Sequence, residues 1–189
     1  MSYSRRYDQA LIYAHELHRE QIRKGSKVPY ISHLLSVSAL VCEAGEGEDV
    51  AIAALLHDAA EDQGGEKTLA TIRERFGDVV ADIVAACSDT FEDPKPPWRA
   101  RKERYIAHLS TASAGARAVS CADKLHNARS IVAELRSQGP KTWEKFAGKR
   151  DGSLWYYRSI VAALKNHGAP SGLLDELARC VDTLHELAG

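Results

Sequence analysis

The segment Ala53-Ala54-Leu55-Leu56-His57-Asp58-Ala59-Ala60-Glu61-Asp62 starts as an apolar helix and ends in four polar side chains. Residues four apart on a helix share a face, so the spacing places His57 beneath Glu61 and Asp58 beneath Asp62. One imidazole and three carboxylates then crowd about one turn of backbone. Closely spaced carboxylates repel one another unless a cation lies among them. The apolar run before them implies a largely buried helix end, where unpaired charge is costly. Solvated acids after a helix C-terminus would explain Glu61 and Asp62, but not a His-Asp pair directly after Ala-Leu-Leu. The segment therefore reads as the central strip of a metal site.

Two further stretches can join it. In Val119-Ser120-Cys121-Ala122-Asp123-Lys124-Leu125-His126-Asn127-Ala128-Arg129, small and apolar residues precede Asp123. Asp123 is therefore expected to be buried and to need a partner. Asn127 follows on the same face, whereas Arg129 faces elsewhere and caps or pairs. His33 falls in the first turn of another helix, where a lone histidine says little. Together, His33, His57, Asp58 and Asp123 would give two imidazoles and two carboxylates from three helices. Nitrogen and oxygen donors without thiolate suit Mn²⁺, Fe²⁺ or Co²⁺ better than structural Zn²⁺. Such an ion lowers the pKa of water, and Glu61 and Asp62, one turn away, could orient that water or move a proton. The cations Arg23, Lys24 and Lys124 suit phosphate oxygens.

The elements that must position these groups are helical. Apolar residues recur at three- and four-residue steps over 7–22, from 31 to Gly45, from Val50 to about Ala60, and over 68–76, 79–87, 98–110, 114–135, 153–166 and 173–187. Ser32, Asp49, Asp78 and Ser171 are the expected N-caps. Arg23 to Tyr30 is a basic loop broken by Gly25 and Pro29, and 88–97 is a polar, proline-bearing loop. The helix from Trp98 starts with Arg99, Arg101, Lys102 and Arg104, which read equally as a solvated face or as a rim for an anionic substrate. Aromatics in Leu154-Trp155-Tyr156-Tyr157 are core, or in part a surface against a base or phosphate. Strand patterns are absent, so the fold is expected to be all-α.

With 189 residues the chain suits one domain, 1–189. A net charge of −1 gives no general drive toward nucleic acid or acidic membranes. Cys42, Cys87, Cys121 and Cys180 form no C-x-x-C pair, which fits free thiols in a reducing compartment. The first eight residues have no apolar signal core and no run is long enough to span a bilayer. A cytoplasmic protein with a small-molecule partner is expected.

Three blocks carry a resemblance: Arg23-Lys24-x5-Tyr30-x2-His33, His57-Asp58-x2-Glu61-Asp62, and Ala122-Asp123-Lys124-Leu125-His126-Asn127-x-Arg129. Their order resembles the HD superfamily of metal-dependent phosphohydrolases. The finer match is to the hydrolase domain of the RelA/SpoT proteins and its free-standing small relatives, over about residues 7–165. Leu34 stands where family members usually have proline. The resemblance implies a compact multi-helix HD-domain bundle, followed here by a C-terminal helix at about 171–187. It implies a single Mn²⁺ on His33, His57, Asp58 and Asp123, with Glu61 and Asp62 acting on the water. It further implies phosphate contacts from Arg23 and Lys24, and substrate contacts from Asn127 and Tyr156. The implied reaction removes 3′-pyrophosphate from guanosine tetra- or pentaphosphate. Other nucleotides (NADPH, deoxynucleoside triphosphates, nucleoside monophosphates, cyclic dinucleotides) are the alternatives within the superfamily. A nucleotide sensor without turnover is the alternative outside it.

Overall fold

The computed structural model describes residues 3–92 and 94–189. Met1, Ser2 and Asp93, the last of these in the proline-bearing loop, lie outside the described residues. The chain runs through α1 (Arg5–Leu17), α2 (Ile31–Glu43), α3 (Glu48–Leu56), α4 (Ala59–Asp62), α5 (Gly65–Phe76), α6 (Asp78–Cys87), α7 (Trp98–His108) and α8 (Ala114–Gln138). A 3₁₀ turn over Gly139–Lys145 leads to α9 (Lys149–His167) and α10 (Ser171–Ala188). The fold is all-α. Among the described residues the one extended pairing outside helices is an isolated bridge between Ile22 and Pro29.

Helix α3 is the inner element. Every residue from Ala51 to Leu56 is fully buried, as expected for a helix that is apolar all round. It lies against α1, α2, α6 and α8. Helix α8 is the long strut, touching α2, α3, α6, α9 and α10. Its N-terminus is held by Ser113, whose Oγ accepts from Ala116 N at 3.2 Å. Small residues (Ala116, Ala118, Ala122, Ala128) let neighbouring helices approach it closely. These two helices meet where the polar groups cluster.

Several local expectations are corrected. Helix α1 stops at Leu17 rather than 22, because residues 21–30 turn back on themselves: Arg23 N donates to Val28 O at 2.8 Å and Tyr30 N to Gln21 O at 2.9 Å. Gly25 supplies the positive φ of +77° that this reversal needs. Ser32 is not an N-cap: it lies inside α2, and its Oγ donates to Pro29 O at 2.8 Å. Asp49 and Asp78 sit in first turns behind Gly47 and Gly77, and their carboxylates accept from Arg6 at 2.8 Å and Arg73 at 2.6 Å. Ser171 opens α10 behind Pro170 without a side-chain cap. Helices α5 and α9 begin three and four residues before the expected positions of 68 and 153, since glycines at 65 and 152 do not stop them.

The most consequential correction concerns the third helix. It does not run to Ala60. It ends at Leu56, passes through a turn at His57 and Asp58, and restarts as the single turn α4. On an unbroken helix, adjacent residues point about 100° apart. The break lets two consecutive side chains converge.

Candidate active site

His57 Nε2 and Asp58 Oδ2 lie 3.1 Å apart across that break. From α2, His33 brings its Nε2 to 3.5 Å from Asp58 Oδ2. From α8, Asp123 Oδ1 lies 3.2 Å from His33 Nε2 and 3.7 Å from His57 Nε2. His33, His57 and Asp58 each offer a donor atom within 4.8 Å of the other two. Three of the four groups are buried, His33 at 0% exposed, His57 at 2% and Asp123 at 6%, while the Asp58 side chain keeps 22% of its surface open.

The orientation of the imidazoles is fixed from behind. His57 Nδ1 donates to Ala54 O at 2.8 Å, which leaves Nε2 as a lone-pair donor. His33 Nδ1 lies 2.8 Å from His126 Nδ1. Burial, with His33 and the Arg23 cation nearby, pushes His126 down to about 4, so its ring is neutral, and in the tautomer protonated on Nε2 it accepts the His33 N–H. Both Nε2 atoms are buried without an aligned hydrogen bond among the described residues. Beside two carboxylates these nitrogens need positive charge, either a proton of their own or a cation between them. Burial opposes charge on His57, yet Asp58 and Asp123 overcome it and raise the group to about 10. The same carboxylates resist burial but are held well below the usual carboxylate range, Asp58 mainly by His57 and Asp123 mainly by Lys124. The pocket thus demands positive charge, and its nitrogen and oxygen donors fit a divalent metal ion.

Glu61 and Asp62 leave this cluster in different directions. Glu61 Oε2 accepts from Asp89 N at 2.9 Å and Oε1 from Lys95 Nζ at 2.8 Å. Asp62 Oδ2 accepts from Gln21 Nε2 at 2.8 Å. Burial, and then Asp58, push the Asp62 carboxyl up from its usual range. Asp58 receives the Tyr30 hydroxyl at 2.7 Å. Tyr30 in turn stacks on the buried His18, their ring centroids 5.2 Å apart.

Beside the cluster opens a cavity of about 550 Å³, lined by Arg23, Lys24, Lys102, Lys124, Asn127 and Tyr156 among others. All five residues expected to contact substrate line it. Arg23 Nη2 donates to Asn127 Oδ1 at 2.6 Å, and Asn127 Nδ2 donates to Asp123 Oδ1 at 2.5 Å. Lys124 contacts the other oxygen of Asp123. The Tyr156 hydroxyl is buried in the wall without a hydrogen-bond partner among the described residues. The basic start of α7 divides. Arg99 pairs with Glu103 at 2.7 Å and stacks on Trp155, Arg101 pairs with Asp89, and Arg104 reaches Glu92 at 3.2 Å. Lys102 also pairs with Asp89, at 3.0 Å, and alone of the four lines the cavity. Arg129 pairs with Glu176 on α10, away from the cavity.

Sequence reasoning missed four supporting residues. His126 stands three positions after Asp123, so its face was legible. Tyr30 stood inside a quoted block without a role. Gln21 and Lys95 carried no signal, because each reaches its carboxylate across a loop.

Comparison with known proteins agrees with this architecture. Residues 10–153 match the family described as HD domain. A guanosine-3′,5′-bis(diphosphate) 3′-pyrophosphohydrolase of Drosophila melanogaster is 31% identical over 182 residues, 93% of this chain and 94% of the relative. The Xenopus tropicalis protein of the same name is 36% identical over 140 residues, 72% of this chain and 73% of the relative. A solved structure described as a metazoan ortholog of SpoT that hydrolyzes ppGpp superposes with a TM-score of 0.75 at 30% identity, covering 95% of this chain and 97% of that one. The His-Asp break in α3, the facing groups on α2 and α8 and these matches place the chain in the HD-domain family, among relatives that include these pyrophosphohydrolases.

Proposed function

We propose that the protein is a metal-dependent phosphohydrolase that removes the 3′-pyrophosphate of guanosine tetra- or pentaphosphate, giving GDP or GTP. The observation that carries this reading is the juxtaposition of the His33-His57-Asp58-Asp123 cluster with a cavity whose lining includes Arg23, Lys24, Lys102 and Lys124. An acidic centre meets a basic pocket where Lys124 touches Asp123. The names of the relatives supply the substrate.

In this reading His33, His57, Asp58 and Asp123 hold one divalent ion, Mn²⁺ by resemblance, with Fe²⁺ or Co²⁺ as alternatives. When bound, the ion supplies charge for the scissile phosphate and acidifies water. The chain's residues do the rest. Arg23, Lys24, Lys102 and Lys124 neutralise the polyphosphate. Asn127, held between Arg23 and Asp123, orients the substrate beside the cluster. Glu61, fixed by Asp89 and Lys95, orients the attacking water. Asp62, whose carboxyl holds a proton more readily than an ordinary aspartate, takes the proton from that water. The new P–O bond forms as the bond to the 3′ oxygen breaks, and that oxygen ends protonated.

The contacts of α10 with α8 and α9 support reading residues 1–189 as one hydrolase domain. No described helix is long and apolar enough to cross a membrane, and all four cysteines are free. Both features support a cytoplasmic setting.

A turnover panel tests the proposal. Guanosine 3′,5′-bis(diphosphate) is run beside NADPH, deoxynucleoside triphosphates and cyclic dinucleotides, with Mn²⁺ and with chelator. Metal-dependent release of GDP and pyrophosphate is expected. Turnover of another nucleotide in its place would keep the centre and reject the substrate.

A further inference from the structure

The cavity lining is not all basic: it also carries a carboxylate. Glu134 lines the cavity with Lys145, whose Nζ lies 2.5 Å from Glu134 Oε2 and 2.6 Å from Oε1. A third partner of that ammonium is the backbone carbonyl of Lys24, at 3.3 Å. An acid is costly to keep in a pocket for polyphosphate, since like charge repels. It is tolerated where the part of the ligand facing it is uncharged and carries N–H or O–H donors.

Position along α8 says which part that is. Asp123, Asn127, Ser130 and Glu134 recur at steps of four, three and four, so they share one face of the helix. Eleven residues at ~1.5 Å each put Glu134 roughly 16 Å along the axis from Asp123. A nucleotide with its 3′-phosphate at the Asp123 cluster and its base along this stripe would bring the base edge to Glu134. Ile131 and Phe146 line the same stretch of cavity and offer apolar surface to the flat faces of a base.

Building on the nucleotide reading above, the geometry points to Glu134 and Lys145 as the pair that reads the edge of the base and selects guanine. Guanine presents two adjacent N–H donors, at N1 and N2, beside the acceptor O6. Glu134 retains lone pairs not used by Lys145, and the Lys145 ammonium carries three N–H groups. The pair therefore offers acceptors beside a donor, the complement of guanine. Adenine sets the lone pair of its N1 against the carboxylate and its N6 amine against the ammonium. A site built to bond polar groups rejects an analogue that leaves them unpaired.

The test measures binding of guanosine, inosine and adenosine 5′-diphosphates to the metal-loaded protein by calorimetry, for the wild type and Glu134→Gln. None of the three carries a 3′-phosphate, so turnover does not intervene. Inosine lacks only the N2 amine and probes the contact without altering the protein. The wild type is expected to favour guanosine over inosine by roughly tenfold, the size of one hydrogen bond to a charged group. It should disfavour adenosine further, and Glu134→Gln should bring the three affinities together. Equal wild-type affinities, or a preference that survives Glu134→Gln, would overturn the assignment, as would failure of all three to bind. Guanosine preference lost in Glu134→Gln, in a protein that does not hydrolyse the bis(diphosphate), would keep the base assignment and reject the hydrolytic one.

Discussion

His126 Nδ1 lies 2.8 Å from His33 Nδ1 and fixes the ring that turns its other nitrogen to the centre. A histidine behind a metal ligand sets the ligand's tautomer and orientation, and its loss typically lowers metal affinity by about 10–100-fold. His126→Phe should weaken Mn²⁺ binding by about that factor, measured by calorimetric titration, with little change in the helical signal. Unaltered affinity would show that His33 needs no support from α8.

Tyr30 acts on the same centre through Asp58. Its hydroxyl is 2.7 Å from Asp58 Oδ2, and a hydrogen bond to a charged group is worth about 1.5–3 kcal/mol. Tyr30→Phe keeps the stack on His18 and removes only this bond. Metal affinity is expected to fall by about tenfold or more, and the metal-loaded protein to lose only the stability that this fall accounts for, about 1.4 kcal/mol per tenfold. A large loss of stability with intact metal affinity would make Tyr30 a packing residue.

The two acids beyond the break should separate binding from rate. Glu61→Gln and Asp62→Asn are expected to retain one bound metal and to lose turnover by about 10²–10⁴-fold, the usual contribution of a positioned acid or base. Metal content and kcat are read on the same preparations. If rate persists in either variant, that residue leaves the mechanism.

Lys102 gives the pH dependence. Burial, and then the neighbouring Lys124, lower it to about 8, below an ordinary lysine near 10.4. Below pH 8 its cation is present for the polyphosphate, and above it the charge is lost. The kcat/KM profile should therefore fall as pH rises through about 8, and Lys102→Arg should flatten that limb. The stability sign is opposite. The folded state sheds this proton before the unfolded chain does, so the cost of burying the cation is full below about pH 8 and is relieved as pH rises toward 10.4. A kcat/KM limb unchanged in Lys102→Arg would remove Lys102 from substrate binding.

Gly148 tests the wall behind the pocket. A Cβ there would meet the Trp98 ring at 2.6 Å, and that ring packs edge-on to Tyr156 with centroids 6.3 Å apart. The Gly148 backbone has an ordinary φ of −76°, so the effect is steric alone. Gly148→Ala should destabilise by about 1–3 kcal/mol, as overpacking does, measured by urea denaturation. An unshifted midpoint would mean that the indole moves freely.

The contrast between what the sequence discloses and what it hides has a physical origin. His57, Asp58 and Asp123 were legible because polar residues within apolar helical runs must be buried, and buried donors must converge on something; His33, in a first turn, said little by itself and joined them only as part of the set. The face shared by Asp123 and Asn127 followed from helical period alone. The break after Leu56 was hidden, since Ala59 and Ala60 continue the helical pattern without a glycine or proline. So were the Lys95-Glu61 and Gln21-Asp62 contacts, which depend on where two loops fold back. Arg101, Lys102 and Arg104 could not be sorted from sequence, because their partners Asp89 and Glu92 belong to the preceding loop, whereas Arg99 pairs with Glu103 four residues on.

The central claim is that two imidazoles and two carboxylates from α2, the α3–α4 break and α8 hold one divalent ion. Anomalous diffraction from crystals grown with Mn²⁺ addresses it directly. One strong peak is expected, touching His33 Nε2, His57 Nε2 and the carboxylates of Asp58 and Asp123, and absent in Asp58→Ala. A peak held by other side chains, or one that persists in Asp58→Ala, would contradict the account.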